Sequence, residues 1–489
     1  MKEFKQLAGQ TMIYGLGTMV PRLLNYIILT PYFTYNLFKD SLIEYGKVTE
    51  LYAYMAFLMI VLTYGMETAY FRFVTKEKDK NKVYSTILTS IIFSSVIFII
   101  GVFVFTNGIS TALAYRGEQI FIRLLAGILV VEAISAIPFA KLRVENKAKK
   151  FAFLKFVQVI VNIGLMLGIY NVLPKFLGSD FISNSAGEIS AKFIFIANMA
   201  ASSVVLVLLA NEFKGYRLGM FEFSYLKPIL LYGLPLMISG LAGTINETLD
   251  RSIYKHLIEN KDVALTELGI YGANYKIGGL ILIFIQMFRY AAEPYFFSKS
   301  KDIDAKDQYA NLMNIFTGII VIMGLVIVLF LNYFKIFIGE NFREGLFVVP
   351  YIVLGYILYG VLFNLSVWFK LSDQTKYAFI IMLFGALITI GINIVYVPVY
   401  RYGASAVAHV CSYGAMVILS YFLGKKFYRI DYNVGRVLLY IGLGIGIYIA
   451  SLKMYIKHEI LEVGIKALAV LLFAIFVAWK ENILSYIKK

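Results

Sequence analysis

The stretch Ser239–Leu257, SGLAGTINETLDRSIYKHL, puts Asn246, Glu247, Asp250 and Arg251 directly after the apolar run PILLYGLPLMI. In hydrocarbon these residue types are costly unless they pair or face water, so inside a membrane they mark a polar cavity or a charge pair. Glu247 and Arg251 stand four residues apart in the order that favours an ion pair along a helix. Asn246 and Asp250 share the adjacent face. The expectation is that this turn lines a cavity. Glu247 would hold Arg251, and Asp250 would be free for a gating contact.

Other polar residues fall in apolar surroundings. Arg22 lies well inside the first apolar stretch, beside Pro21, with Asn25 about one turn on. Lys276 and Arg289 sit in one long apolar segment, with Glu293 four residues after Arg289. Arg22, Arg251, Lys276 and Arg289, with the amides Asn25 and Asn246, suit an anionic ligand. The carboxylates Glu67, Glu247, Asp250 and Glu293 suit gating or ion coupling. Each has a plainer alternative. Arg22 can cap carbonyls freed by Pro21, Lys276 can sit at a membrane interface, and the two i,i+4 pairs can simply neutralise themselves.

No catalytic constellation stands out. No Walker motif, Rossmann glycine pattern, HExxH or acidic cluster occurs in the loops, so neither an ATPase module nor an enzyme site is expected. One cysteine, Cys411, lies in an apolar run and reads as a buried core residue. His256, His409 and His458 lie far apart, so no metal site and no cofactor are expected.

The elements that must position these residues are membrane helices. Of 489 residues, 60% are hydrophobic and 16% charged, too little charge to cover a soluble protein of this size. Apolar runs fall at about 10–35, 47–73, 84–106, 120–140, 151–173, 190–210, 227–250, 269–297, 309–332, 346–369, 377–398, 404–424, 433–452 and 463–480, which predicts about 14 spanning helices and excludes a β-barrel. The first run lacks a cleavage pattern and reads as a retained helix rather than a signal peptide. Lys and Arg concentrate in RFVTKEKDKNK, KLRVENKAKK, FKGYR, KSKDIDAKDQ, KLSDQTK and GKKFYRIDYNVGR. These are the alternate connections, which places both termini in the cytoplasm. The net charge of +16 then belongs to that membrane face and calls for no nucleic acid.

The chain repeats itself. Tyr45-Gly46, Glu67 and Tyr70-Phe71 recur as Tyr271-Gly272, Glu293 and Phe296-Phe297, all at an offset of 226. The same offset takes KFAF at 150–153 onto KYAF at 376–379. A near-constant offset over six helices predicts two homologous six-helix lobes, 1–218 and 219–430, followed by two additional helices in 431–489. Six is even, so the two lobes are parallel repeats.

The residues LLYGLPLMI, LDRSIY, LGIYGANYKI and NKAKKFAFL, on this helix pattern, resemble the multidrug/oligosaccharidyl-lipid/polysaccharide (MOP) flippase superfamily, and within it the bacterial polysaccharide-unit flippases of the Wzx type. The resemblance implies a V-shaped pair of lobes around a cavity, in the bacterial inner membrane. It implies an undecaprenyl-diphosphate-linked oligosaccharide, an O-antigen, capsule or exopolysaccharide unit, carried from the cytoplasmic to the periplasmic leaflet by alternating access. Expected partners are that lipid-linked oligosaccharide, membrane lipids, and the polymerase and glycosyltransferases of the same pathway. The alternatives within the superfamily are an ion-coupled multidrug exporter and a lipid II flippase. PKFLGSDFISNSAGEISA, near 174–190, is longer than the family norm and reads as a freely variable connection.

Overall fold

An apolar run of about 20 residues has one stable form in hydrocarbon, because every backbone N–H and C=O must be satisfied within the segment. The computed structural model follows this rule. It describes residues 15–482 apart from 16, 18, 22, 185–186, 300–301, 373, 375 and 455–457, and side chains at 290, 291, 293, 294 and 297–299 lie outside the description. Among the described residues there is no strand, only an isolated bridge between Ser183 and Ile189. Among the described residues twelve helices are long and apolar enough to cross a membrane, and Lys192–Leu208 is a shorter apolar helix. The expected first span falls partly outside the described residues. Its described part contains two π-helical turns, Asn25–Leu29 and Tyr32–Leu37. The protein is an all-α, multi-pass membrane protein.

The chain divides into two compact units, Met1–Gly269 and Ile270–Lys489. This packing division differs from the repeat division at 218/219, because the helix Phe223–Leu257 packs within the first unit.

The first unit contains α1 (Leu42–Thr63), α2 (Met66–Lys76), α3 (Lys80–Val104), α4 (Gln119–Val144), α5 (Ala148–Leu167), α6 (Lys192–Leu208) and α7 (Phe223–Leu257). α8 (Lys261–Lys299) carries the chain into the second unit. The single span expected near 47–73 is broken into α1 and α2 at Tyr64 (φ 29°) and Gly65 (φ 74°). α7 packs along α1, while α4, α5 and α6 pack on one another around Phe139, Leu142, Phe151, Leu154 and Val205. Helix ends follow their sequence signals. Asp79 caps α3 by accepting from the Lys82 N–H at 3.0 Å. Lys141 and Arg143 fill the last turn of α4, where the helix dipole favours cations. Pro138 and Pro235 lie inside α4 and α7.

The second unit contains α9 (Ala305–Leu329), α10 (Val349–Leu365), α11 (Lys376–Tyr400), α12 (Tyr402–Phe427), α13 (Val434–Leu452) and α14 (Glu459–Lys480). α10 and α12 pack on each other through Leu362, Trp368 just beyond α10, Tyr413 and Met416. The two last helices lie on α9, and Arg436 ties their ends together with a 3.2 Å bond to Glu481. Cys411 is exposed on α12, not buried as its apolar surroundings suggested. The helix turns Ser405, His409, Ser412 and Ser420 inward on one face, and Cys411 lies on the other.

Candidate functional site

α1 carries Glu44, Lys47 and Glu50 at a spacing of three, which puts all three on one side of the helix. Around them the first unit builds a buried ionic ladder. Lys47 Nζ lies 2.7 Å from Glu44 Oε1 and 2.6 Å from Glu118 Oε1. Glu44 Oε2 accepts the Ala191 backbone N–H at 2.6 Å, and Asn184 donates to Glu44 Oε1 at 3.2 Å. The connection near 174–190, read from sequence as freely variable, is therefore tied to the ladder. Ser41 reinforces it by donating to Glu188 at 2.9 Å.

One turn along α1, Glu50 Oε2 meets Lys255 Nζ of α7 at 2.8 Å and accepts from the Tyr115 hydroxyl at 2.7 Å. The Lys255 ammonium also sits 3.7 Å from the Tyr115 ring centroid, an ion–quadrupole contact. Glu50 and Lys255 are both 0% exposed. Tyr54 donates to the Ser252 carbonyl at 2.7 Å and lies 3.2 Å from His256 Nε2, so α1 and α7 are stitched along two turns. Burial and the Glu50 carboxylate hold the Tyr115 phenol well above its usual range, so it remains a donor. The ladder sets three carboxylates, Glu44, Glu50 and Glu118, against two ammonium groups, Lys47 and Lys255.

A second polar cluster lies among α1, α4, α5 and α6. Ser202 donates to Glu132 at 3.1 Å and receives a bond from Gln158 at 3.1 Å. Asn198 donates to Tyr52 at 2.9 Å. Lys155 lies over the Phe139 ring at 4.2 Å, and its charge acts on Glu132. At the opposite end of the unit, Glu212 receives Lys150 at 2.6 Å, and Glu67 receives Arg143 at 2.5 Å.

The residues singled out from sequence fall as follows. Arg22 lies outside the described residues, and so does the Glu293 side chain. Asn25 opens the first π-helical turn with its side-chain oxygen buried. Asn246 is buried and donates to the Ala242 carbonyl at 3.0 Å. Arg251 lies on the Glu247 backbone carbonyl, and its Nε is 3.5 Å from Asp250 Oδ1. Asp250 is buried and already engaged with Arg251, where the sequence reading left it free. In the second unit Lys276 is half-buried, and Arg289 is exposed with its guanidinium 6.0 Å from the Phe363 ring centroid. The structure thus draws Asn246, Glu247, Asp250 and Arg251 into one turn of α7.

Sequence reasoning passed over Glu44, Lys47, Glu50, Glu118, Lys255 and Glu132. The 44/47/50 spacing was a readable signal of one charged face. The partnership of Glu50 with Lys255 left none, because it joins helices far apart in the chain.

This geometry places charged side chains inside apolar helices of a multi-pass protein. Against known families, the model described as "Polysaccharide biosynthesis protein" matches residues 7–301, more than half of the chain. The chain belongs to this family. A protein of the Lsg locus of Haemophilus influenzae is 22% identical over 428 residues, covering 86% of this chain and 90% of that protein. Among solved structures, the lipid II flippase MurJ in an inward closed conformation aligns with a TM-score of 0.72 at 15% identity, covering 96% of this chain and 99% of that one. An inward-facing multidrug resistance MATE transporter of the MOP superfamily aligns with a TM-score of 0.62 at 13% identity, covering 86% and 93%. This polysaccharide biosynthesis family member has the fold of those flippases and transporters.

Proposed function

We propose that this protein is a flippase for an undecaprenyl-diphosphate-linked oligosaccharide, carried from the cytoplasmic to the periplasmic leaflet of the bacterial inner membrane. The observation that carries the reading is the polysaccharide biosynthesis match over residues 7–301, on a chain whose fold is shared with a lipid II flippase. The substrate pairs a diphosphate and a polar glycan with an apolar tail. Its head crosses hydrocarbon only inside a wet, cationic passage. Arg22, Arg251, Lys276 and Arg289 would meet the diphosphate, and Asn25 and Asn246 the glycan. Glu67, Glu247, Asp250 and Glu293 would serve gating or ion coupling. In this reading the two six-helix repeats work by alternating access, both termini are cytoplasmic, and the pathway's glycosyltransferases and polymerase are its neighbours.

The test is reconstitution into vesicles with labelled polyprenyl-diphosphate glycans, followed as leaflet exchange without ATP. Exchange of oligosaccharide-bearing lipid is expected. Exchange of lipid II alone would favour the second reading, a peptidoglycan-precursor flippase, which the alignment with the lipid II flippase keeps in play. Export of cationic drugs with no lipid exchange would overturn both.

A further inference from the structure

The span Leu42–Lys76 is not one helix. Tyr64 takes φ 29° and ψ 46°, Gly65 takes φ 74° and ψ 6°, and helical geometry resumes at Met66. The left-handed turn at position 65 suits glycine. The break is seated on α7: a Cβ at Gly65 would collide with the Gly233 carbonyl oxygen, and one at Gly233 would come within 2.9 Å of the Tyr64 carbonyl. Backbone meets backbone there, and the Tyr64 hydroxyl pairs with the Ser90 hydroxyl of α3 at 2.7 Å.

The two arms are held differently. The α2 arm is fixed by Arg143 on Glu67, a pair exposed by 41% and 44%, and by Arg72 lying 4.3 Å from the Tyr232 ring centroid. The α1 arm is fixed to α7 by Glu50 and Lys255, both fully buried, and one turn on by Tyr54 donating to the Ser252 carbonyl. Static packing is served as well by apolar side chains, since replacing a buried ion pair with well-packed hydrophobics is often neutral or stabilising. A buried pair differs in its response to water. Its attraction drops about fourfold when the effective dielectric rises from roughly 20 to 80. It therefore holds firmly when dry and releases once water enters.

We infer that Leu42–Lys76 is a hinged helix: the α1 arm swings about the Tyr64–Gly65 break on Gly233, and the Glu50–Lys255 pair latches it to α7. The inference rests on the transport reading and deepens it: a helix that parts from α7 at one end while the other stays opens one side of a passage at a time, where rigid rocking would move both ends.

The experiment uses the full chain in nanodiscs, without substrate, in a Cys411→Ser background. Spin labels go on two pairs of exposed sites, Asp40 with Asn260 at the α1 end and Lys76 with Ser224 at the α2 end. Pulsed dipolar spectroscopy reads each distance distribution. Lys255→Met is expected to add a longer-distance population at the first pair and leave the second unchanged. The charge-exchanged variant Glu50→Lys/Lys255→Glu is expected to restore the single short population. If Lys255→Met does not fold, Glu50→Gln/Lys255→Met, which leaves no unpaired charge, is expected to give the same release. An unshifted first pair in a folded variant overturns the latch. A shift at both pairs overturns the hinge and shows rigid tilting. The readout needs no glycan, so failed translocation beside an intact distance shift would remove the substrate reading and leave the hinge.

Discussion

Lys255 of α7 and Glu50 of α1 meet at 2.8 Å, and neither side chain is exposed. The ammonium has the Tyr115 ring as its other neighbour, and Tyr115 completes the carboxylate with a 2.7 Å hydrogen bond. A carboxylate, an ammonium and a phenol thus share one buried site between the first unit's helices.

Breaking this pair from one side leaves an uncompensated buried charge. Lys255→Met is expected to cost about 3–5 kcal/mol of stability, and Glu50→Gln/Lys255→Met to recover most of it. Thermal or denaturant unfolding of the purified variants measures both. A double variant as weak as the two single losses added together would mean that the residues do not act as a pair.

Tyr115 gives a pH signature. Its folded pKa is raised, so its contribution is fully present below the phenol's unfolded value near pH ~10 and is lost as pH rises beyond it. Tyr115→Phe should cost roughly 1–3 kcal/mol at neutral pH, because Glu50 loses a donor. The difference from the parent should narrow in alkaline buffer. A constant gap from pH ~7 to ~11 would contradict the assignment.

The cluster around Glu132 makes a separate case. Ser202 donates to Glu132 at 3.1 Å, and the Lys155 charge acts on the same carboxylate. Glu132→Gln and Lys155→Met should therefore be coupled, with an interaction term of about 0.5–3 kcal/mol in a double-mutant cycle. Simple additivity would show that Lys155 answers only to the Phe139 ring and Gln158.

The substrate reading predicts a charge requirement. Arg22→Ala should abolish glycan export while the protein still accumulates in the membrane, and Arg22→Lys should retain part of it. Cell-surface glycan staining beside a membrane immunoblot decides this. Full export by the alanine variant would remove Arg22 from the site.

Most helix positions were legible in the residues alone, because a long apolar run in a membrane must satisfy its own backbone locally. The expected spans near 84–106, 120–140 and 377–398 appear as Lys80–Val104, Gln119–Val144 and Lys376–Tyr400. The sequence also carried the family, through residues spread along the chain. The charged turn of α7 was legible as unusual, since four polar side chains after an apolar run need partners, but its pairing was not. Arg251 takes the Glu247 backbone carbonyl and the Asp250 carboxylate, a choice that depends on local side-chain geometry. Tertiary structure alone decided that Lys255 finds Glu50, that Glu44 takes the Ala191 N–H, that Gly65 rests on Gly233 and that Cys411 faces outward. Helix formation is a local event. Which faces meet depends on the rotation and crossing of helices, and an apolar pattern that is hydrophobic all round does not encode that.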